Sequence, residues 1–269
     1  MNKSRLIIAC SLAVMALPMA AQTPTGGGND FGTDLTIGVE KKLMPRLGLE
    51  IEGNYRTQDN GSETERFLVG ATIGYKFHKD KKTELKYSVG YDFTWKNKLA
   101  ETKEHFNSSG DMNGYNTTES YWRHRSRVSF AIGGGYSPTK RWQFSLKETM
   151  QYAHYLSGDP VDRMKYRYND EDVLYLKETD QKAVKAKDKM LLRSKFGIEY
   201  NVKGIPLNPF ATAEYITGSQ HTERWKFTAG ADYKYLKKHK FSLFYRFQKE
   251  SDDDEPNGHI VGLGYKFSF

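Results

Sequence analysis

The 269-residue chain has one cysteine, Cys10, in a stretch with the marks of a cleaved leader. Once the leader is gone, the chain has no disulfide and no thiol chemistry. Beyond the leader, no apolar run approaches the ~18 residues that a membrane-spanning helix requires, and the mean hydropathy is −0.74. Its seven histidines show no zinc-ligand spacing. No glycine loop of the phosphate-binding kind occurs, because Gly133-Gly134-Gly135 lies inside an alternating segment where it permits a bend or close packing. We therefore expect neither a metal nor a cofactor. The net charge of +8 is modest for this length and, with secretion, argues against nucleic acid as a partner.

What is present begins at the N-terminus. Lys3 and Arg5 precede an apolar stretch from Leu6 to Ala21 that ends in small residues. This is the pattern of a secretory signal peptide over residues 1–21, cleaved near Ala21. Removing Lys3 and Arg5 leaves 39 bases against 33 acids, a net charge of +6. Aromatic residues make up 14% of the chain, too many for a disordered coat.

From residue 34 onward, apolar and polar residues alternate in segment after segment, the mark of strands with two unlike faces. Leu35, Ile37 and Val39 share one face; Phe67, Val69, Ala71 and Ile73 another; Leu85, Tyr87, Val89 and Tyr91 a third. The parity then changes to even numbers, with Trp122, Val128, Phe130 and Ile132, and further segments follow to the last residue. Eleven strands are readable, joined by short turns that alternate with longer loops. The longest loops are 96–120 and 158–188, and Gln181 to Lys187 has the composition of a helical turn. Aromatic residues cluster near both ends of the strands, and small or aliphatic residues fill the middle. Two aromatic girdles around an apolar band describe an all-β, antiparallel up-and-down transmembrane β-barrel of 10–12 strands over residues 22–269, placed in the cell outer membrane. Bacterial single-chain barrels have even counts, so a short twelfth strand is expected over Gln22 to Phe31, beside the closing strand.

That closing strand alternates Val261, Leu263, Tyr265, Phe267 and Phe269 with small or polar residues. Gly264, Phe267 and Phe269 match the C-terminal signature of outer-membrane barrels. The expected partners are outer-membrane lipid and lipopolysaccharide, and the barrel assembly machinery.

With the apolar face on lipid, the other face lines the lumen. Its acids include Glu50, Glu52, Glu199, Glu214, Asp92 and Asp232, and its bases Arg56, Arg66, Arg123, Arg125, Arg127, Arg193, Arg224 and Arg246, with Lys86, Lys147, Lys195 and Lys226. In a narrow lumen opposite charges pair, because an unpaired ion there is costly. The first reading of function is a structural barrel, or a small-solute pore that prefers anions because the long-loop half is rich in arginine. The second is a lipid-modifying hydrolase. His124 and Ser126 share a strand face near the outer rim, a spacing that resembles the His-x-Ser of lipid A deacylating barrels, although Arg127 replaces the usual asparagine. Glu148 is the nearest acid in sequence on the same face. The third is a soluble secreted barrel that binds something apolar.

The segment from Glu50 and Glu52 to Arg56, the run Trp122 with Arg125 and Arg127, Tyr245-Arg246 before an acidic loop, and the ending His259 to Phe269 resemble the uncharacterised barrel family called domain of unknown function 2490. The resemblance covers most of the mature chain. It implies an outer-membrane or secreted barrel and no particular activity.

Overall fold

In the computed structural model, the described residues are 30–169, 171–218, 223–236, 238–250 and 258–269. The leader with its cleavage site, most of the expected first strand (22–29) and the acidic run Asp252 to Glu255 lie outside them. Among the described residues there are fifteen strands: β1 Asp30–Met44, β2 Leu47–Gln58, β3 Glu63–Lys79, β4 Thr83–Lys98, β5 Glu101–Phe106, β6 Met112–Thr118, β7 Tyr121–Tyr136, β8 Trp142–Tyr155, β9 Gly158–Tyr168, β10 Leu174–Val184, β11 Lys187–Tyr200, β12 Leu207–Gly218, β13 Glu223–Tyr235, β14 His239–Glu250 and β15 Gly258–Ser268.

Eleven of these close into one barrel, in the order β1-β15-β14-β13-β12-β11-β8-β7-β4-β3-β2. The barrel is inside out. The residues chosen by alternation point away from the lumen and are exposed: Ile37 64%, Val69 53%, Ile132 51% and Leu263 54%, whereas Asp34, Arg56 and Glu214 are 2%, 3% and 4% exposed. A soluble barrel that carries an apolar ligand would reverse this polarity. Cross-strand aromatic pairs build the girdles: Tyr55 on Phe67 at 5.1 Å and Tyr215 on Trp225 at 4.6 Å near one rim, Trp142 on Tyr200 at 4.8 Å near the other.

The short turns gather at one end. That between β3 and β4 is pinned by Asp80, whose Oδ1 accepts the N–H groups of Thr83 at 2.6 Å and Lys82 at 2.7 Å. These two bonds, with His78, hold its carboxyl below the usual carboxylate range.

Two expectations need correction. First, no twelfth strand separates β1 from β15. Asp30 and Phe31 belong to β1 itself, which pairs in parallel with β15 from Asp30 opposite Gly258 to Glu40 opposite Ser268. Both strands run toward the short-turn end, so an odd number closes without an intervening strand. The slanted bonds of a parallel pair replace the perpendicular ones found elsewhere in the wall. The chain end locks this seam: Phe269 N–H donates to Glu40 O at 3.0 Å and Lys42 N–H to Phe269 O at 3.3 Å.

Second, the two long loops are largely strand. β5 and β6 occupy the first, β9 and β10 the second, and they form a separate sheet in the order β10-β9-β6-β5. The stretch expected as a helical turn enters this sheet, with Gln181 opposite Asp162 and Lys182 opposite Val161. Only a few residues separate β4 from β5, β6 from β7, β8 from β9, and β10 from β11. The sheet therefore continues one side of the barrel wall beyond the rim. Arg163 and Lys165 of β9 both bind Asp180 of β10. Arg163 first, then Lys165, keeps that carboxyl far below its ordinary range. The composition that looked like a solvated loop is a ladder of opposite charges across two strands.

Candidate functional site

The strand parity delivers the inward residues, and the barrel closure decides which of them meet. Asp34 is the hub of one cluster at the seam. Its Oδ2 accepts from Arg56 Nη2 at 3.0 Å and Arg246 Nη1 at 3.3 Å, and its Oδ1 from Asn54 Nδ2 at 2.6 Å. Arg66 joins through the same asparagine, its Nε donating to Asn54 Oδ1 at 3.2 Å. Arg56 also reaches Glu65, at 3.5 Å. Glu214 is the hub of a second cluster and binds Arg193, with Lys226 Nζ at 3.7 Å. Arg127 pairs with Asp92 at 2.7 Å.

Arg125 lies 3.9 Å from Asp92, while Arg123 donates to Lys185 O at 2.8 Å; their guanidinium groups lie 5.9 and 4.9 Å from the Tyr155 ring. Arg224 occupies the upper end of β13, in register with Ile216. Toward the short-turn end, Glu50 binds Lys266, and Glu199 lies 3.5 Å from Lys234. Glu52 faces the cavity between these groups. The inner face thus carries several ion-pair clusters, with Asp34 as a centre that its position in the sequence did not reveal.

One row of this wall is almost entirely cationic. Lys76 is opposite Lys86, Lys86 opposite Gly133, Gly133 opposite Lys147, Lys147 opposite Lys195, Lys195 opposite Glu214 and Glu214 opposite Lys226. Among the described residues, Lys86, Lys147 and Lys195 make no ion pair.

The network lines an open cavity of about 520 Å³. Its lining carries nine cationic side chains, including Lys195, Lys226, Lys240 and Lys266, against five carboxylates: Asp34, Glu52, Glu199, Glu214 and Asp232. A second cavity of about 200 Å³ lies at the short-turn end, lined by Glu40, Lys234, Lys238, Lys240 and Lys266 among others. Lys240 and Lys266 line both.

Two aromatics also face inward, where alternation gave no reason to expect them. Phe210 is opposite Gly230, Gly230 opposite Phe244 and Phe244 opposite Gly262, so rings and glycines alternate across four strands. The Phe244 ring lies over Gly262, and the Arg246 guanidinium lies 4.9 Å from that ring. The atoms nearest a Cβ at Gly262 belong to the ring, whereas the atom nearest one at Gly230 is the Leu243 carbonyl oxygen. Gly262→Ala is expected to cost about 1–3 kcal/mol in the native chain and close to nothing in a Phe244→Ala background. Gly230→Ala should remain costly in both. Equal costs of Gly262→Ala in the two backgrounds, measured by urea unfolding, would refute this packing.

The residues proposed for lipid chemistry lie on the outer face. His124 stacks on Phe93, with ring centroids 6.0 Å apart, and Ser126 Oγ donates to the Tyr91 hydroxyl at 3.2 Å. Glu148 accepts a bond from Ser194 Oγ at 2.6 Å and joins neither of them. The structure therefore does not assemble a triad from His124, Ser126 and Glu148. At the chain end, Phe267 and Phe269 stack at 5.6 Å and Gly264 is opposite Ser242.

A closed wall with lipid-facing aromatics, an apolar outer band and a charged interior defines a transmembrane β-barrel. The chain belongs to the family described as protein of unknown function (DUF2490), which matches residues 31–259. No functionally curated protein matches the sequence. Among solved structures, the β domain of the Bordetella autotransporter BrkA is similar at 14% identity over 83% of each chain, with a TM-score of 0.48. A mutant of the TodX monoaromatic hydrocarbon channel is similar at 10% identity over 87% of each chain, with a TM-score of 0.31. Likenesses of this size carry no inference about function.

Proposed function

We propose that this protein resides in the outer membrane of a Gram-negative bacterium, held by lipid and lipopolysaccharide and inserted by the barrel assembly machinery, and that its interior accepts small anions. The observation that carries this reading is the lysine row. Three unpaired ammonium groups on one wall of a narrow lumen are costly unless a mobile anion neutralises them. The surplus of cations around the larger cavity and the lysines at the short-turn mouth extend the same field along the axis. Such a field concentrates anions and repels cations. The ion-pair clusters at Asp34 and Glu214 narrow the passage, so only small solutes are expected to pass.

Planar-bilayer recording of the refolded barrel tests this. The expected result is a small conductance that favours chloride over potassium, and a reversal potential that moves toward cation preference in Lys147→Glu/Lys195→Glu. Absent conductance together with no anion binding, or cation preference in the native barrel, would sink the proposal.

A further inference from the structure

We propose that Ser126, His154 and Asp188 form a hydrolytic site on the outside of the barrel, acting on fatty acyl esters of membrane lipids. The three come from neighbouring strands and lie in one row across the wall: Ser126 of β7 is opposite His154 of β8, and His154 is opposite Asp188 of β11. All three share the outward parity of Val128 and Met190, which are 49% and 45% exposed. The row crosses the outer girdle, since Phe93 is the partner of Ser126 on the other side and Tyr152 lies two residues from His154. At this depth aromatic rings mark the boundary between acyl chains and headgroups, where the ester carbonyls of membrane lipids lie.

The hydrogen bonds give each group a role. His154 Nδ1–H donates to Asp188 Oδ1 at 2.7 Å, and the Tyr152 hydroxyl donates to the same oxygen at 2.8 Å. With Nδ1 protonated and held by a carboxylate, Nε2 carries the lone pair of a general base. Among the described residues, Nε2 has no partner. Directly opposite residues in an antiparallel pair have Cβ atoms about 4.5–5.5 Å apart, so rotation of Ser126 about χ1 moves Oγ from Tyr91 toward His154. The Tyr91 oxygen accepts the present bond from Ser126. The Tyr91 phenolic proton is therefore uncommitted in that contact and stands beside the nucleophile as a donor for a developing oxyanion. His124 is a poorer base. Its ring stacks on Phe93, and its neighbour on the β8 side is Leu156, whose N–H donates to His124 O at 3.0 Å.

The reaction balances with water as the co-reactant. Ser126 Oγ attacks the ester carbonyl carbon while His154 Nε2 takes the hydroxyl proton. The carbonyl–alkoxy bond breaks, and the leaving alcohol takes that proton from His154. Water then attacks the acyl-serine and gives one proton to His154, which returns it to Ser126 Oγ as the fatty acid departs. Asp188 is a positioning residue: it holds the imidazole and stabilises its charged form.

The test uses the folded mature chain in detergent micelles, with folding verified by heat-modifiable migration. A long-chain alkyl fluorophosphonate is added as a serine probe, and fatty acid release is measured with phosphatidylethanolamine vesicles and, separately, with lipid A vesicles. The expected result is stoichiometric labelling of Ser126 and release from at least one lipid, the responsive arm identifying the source of the ester. Ser126→Ala and His154→Ala should each lower release on the order of 10³-fold. Asp188→Asn should lower kcat with little change in KM, and Asp188→Glu should partly restore it. A folded native barrel that takes no label and releases no fatty acid overturns the proposal, as does undiminished release by Ser126→Ala. Loss of release in His124→Ala with full release in His154→Ala overturns the assignment of the base.

Discussion

Asp34→Ala is expected to lower the unfolding free energy by about 3–5 kcal/mol, the cost of leaving a buried charge without its partner. Asp34 is 2% exposed and Arg56 3% exposed, so water cannot replace the lost carboxylate at either side chain. Arg246 loses the same partner, and Asn54 loses the acceptor of its 2.6 Å bond. The position magnifies the effect. Asp34 is opposite Gly262 across the parallel seam, and it draws together groups from β2 and β14 on either side of β1 and β15. The loss therefore loosens the joint at which β1 and β15 close the wall. Urea unfolding in lipid vesicles measures the midpoint, and Asp34→Leu/Arg56→Met/Arg246→Leu is the control. Because replacing a buried ion triad with apolar groups is often neutral or favourable, the triple variant should be more stable than the single one. A single variant with the native midpoint would show that the cluster contributes nothing to closure.

Phe130→Arg is expected to cost about 2–4 kcal/mol, the price of a guanidinium at the bilayer midplane on the lipid face of a barrel. Phe130 is 49% exposed and lies midway along β7, between the Trp122 end and Tyr136. Tyr136→Arg, on the same strand and face, lies at the interface and should cost only about 0–1 kcal/mol. The difference between the two variants, measured in vesicles, reports depth and not merely exposure. The same pair in detergent-free buffer would show no such difference if the apolar face met water. Equal costs in vesicles would contradict the transmembrane placement of this face.

The transmembrane class was legible because a strand's side-chain period is two, independent of what it pairs with. Ile37, Val69, Phe130 and Leu263 declare an outward face by local order alone, and the girdles follow from where aromatics fall along each segment. The closing strand was legible to its last residue for the same reason. The composition of the inner face was also readable, down to the lysines of β4, β8, β11 and β13.

Its arrangement was not. Register is a relation between strands, and loop length decides it only where turns are tight. Nothing in the order of residues places Lys86, Lys147 and Lys195 on one row, makes Asp34 the centre of three strands, or sets Gly262 beneath the Phe244 ring. The long loops misled because charged residues that pair across β9 and β10 have the composition of a solvated coil. His154 and Asp188 meet beside Ser126 only through strand pairing, because each lies on a different strand, 28 and 62 positions away along the chain.

The sequence by itself thus determined that the protein is an inside-out barrel with a charged interior, since alternation and aromatic position are properties of each strand alone. Only the tertiary structure decided that eleven strands close it through a parallel seam, that one side of the wall continues past the rim, and which inward charges are neighbours. Those outcomes depend on register and closure, which bring residues together by hydrogen bonding between strands and leave no trace in the spacing within any one of them.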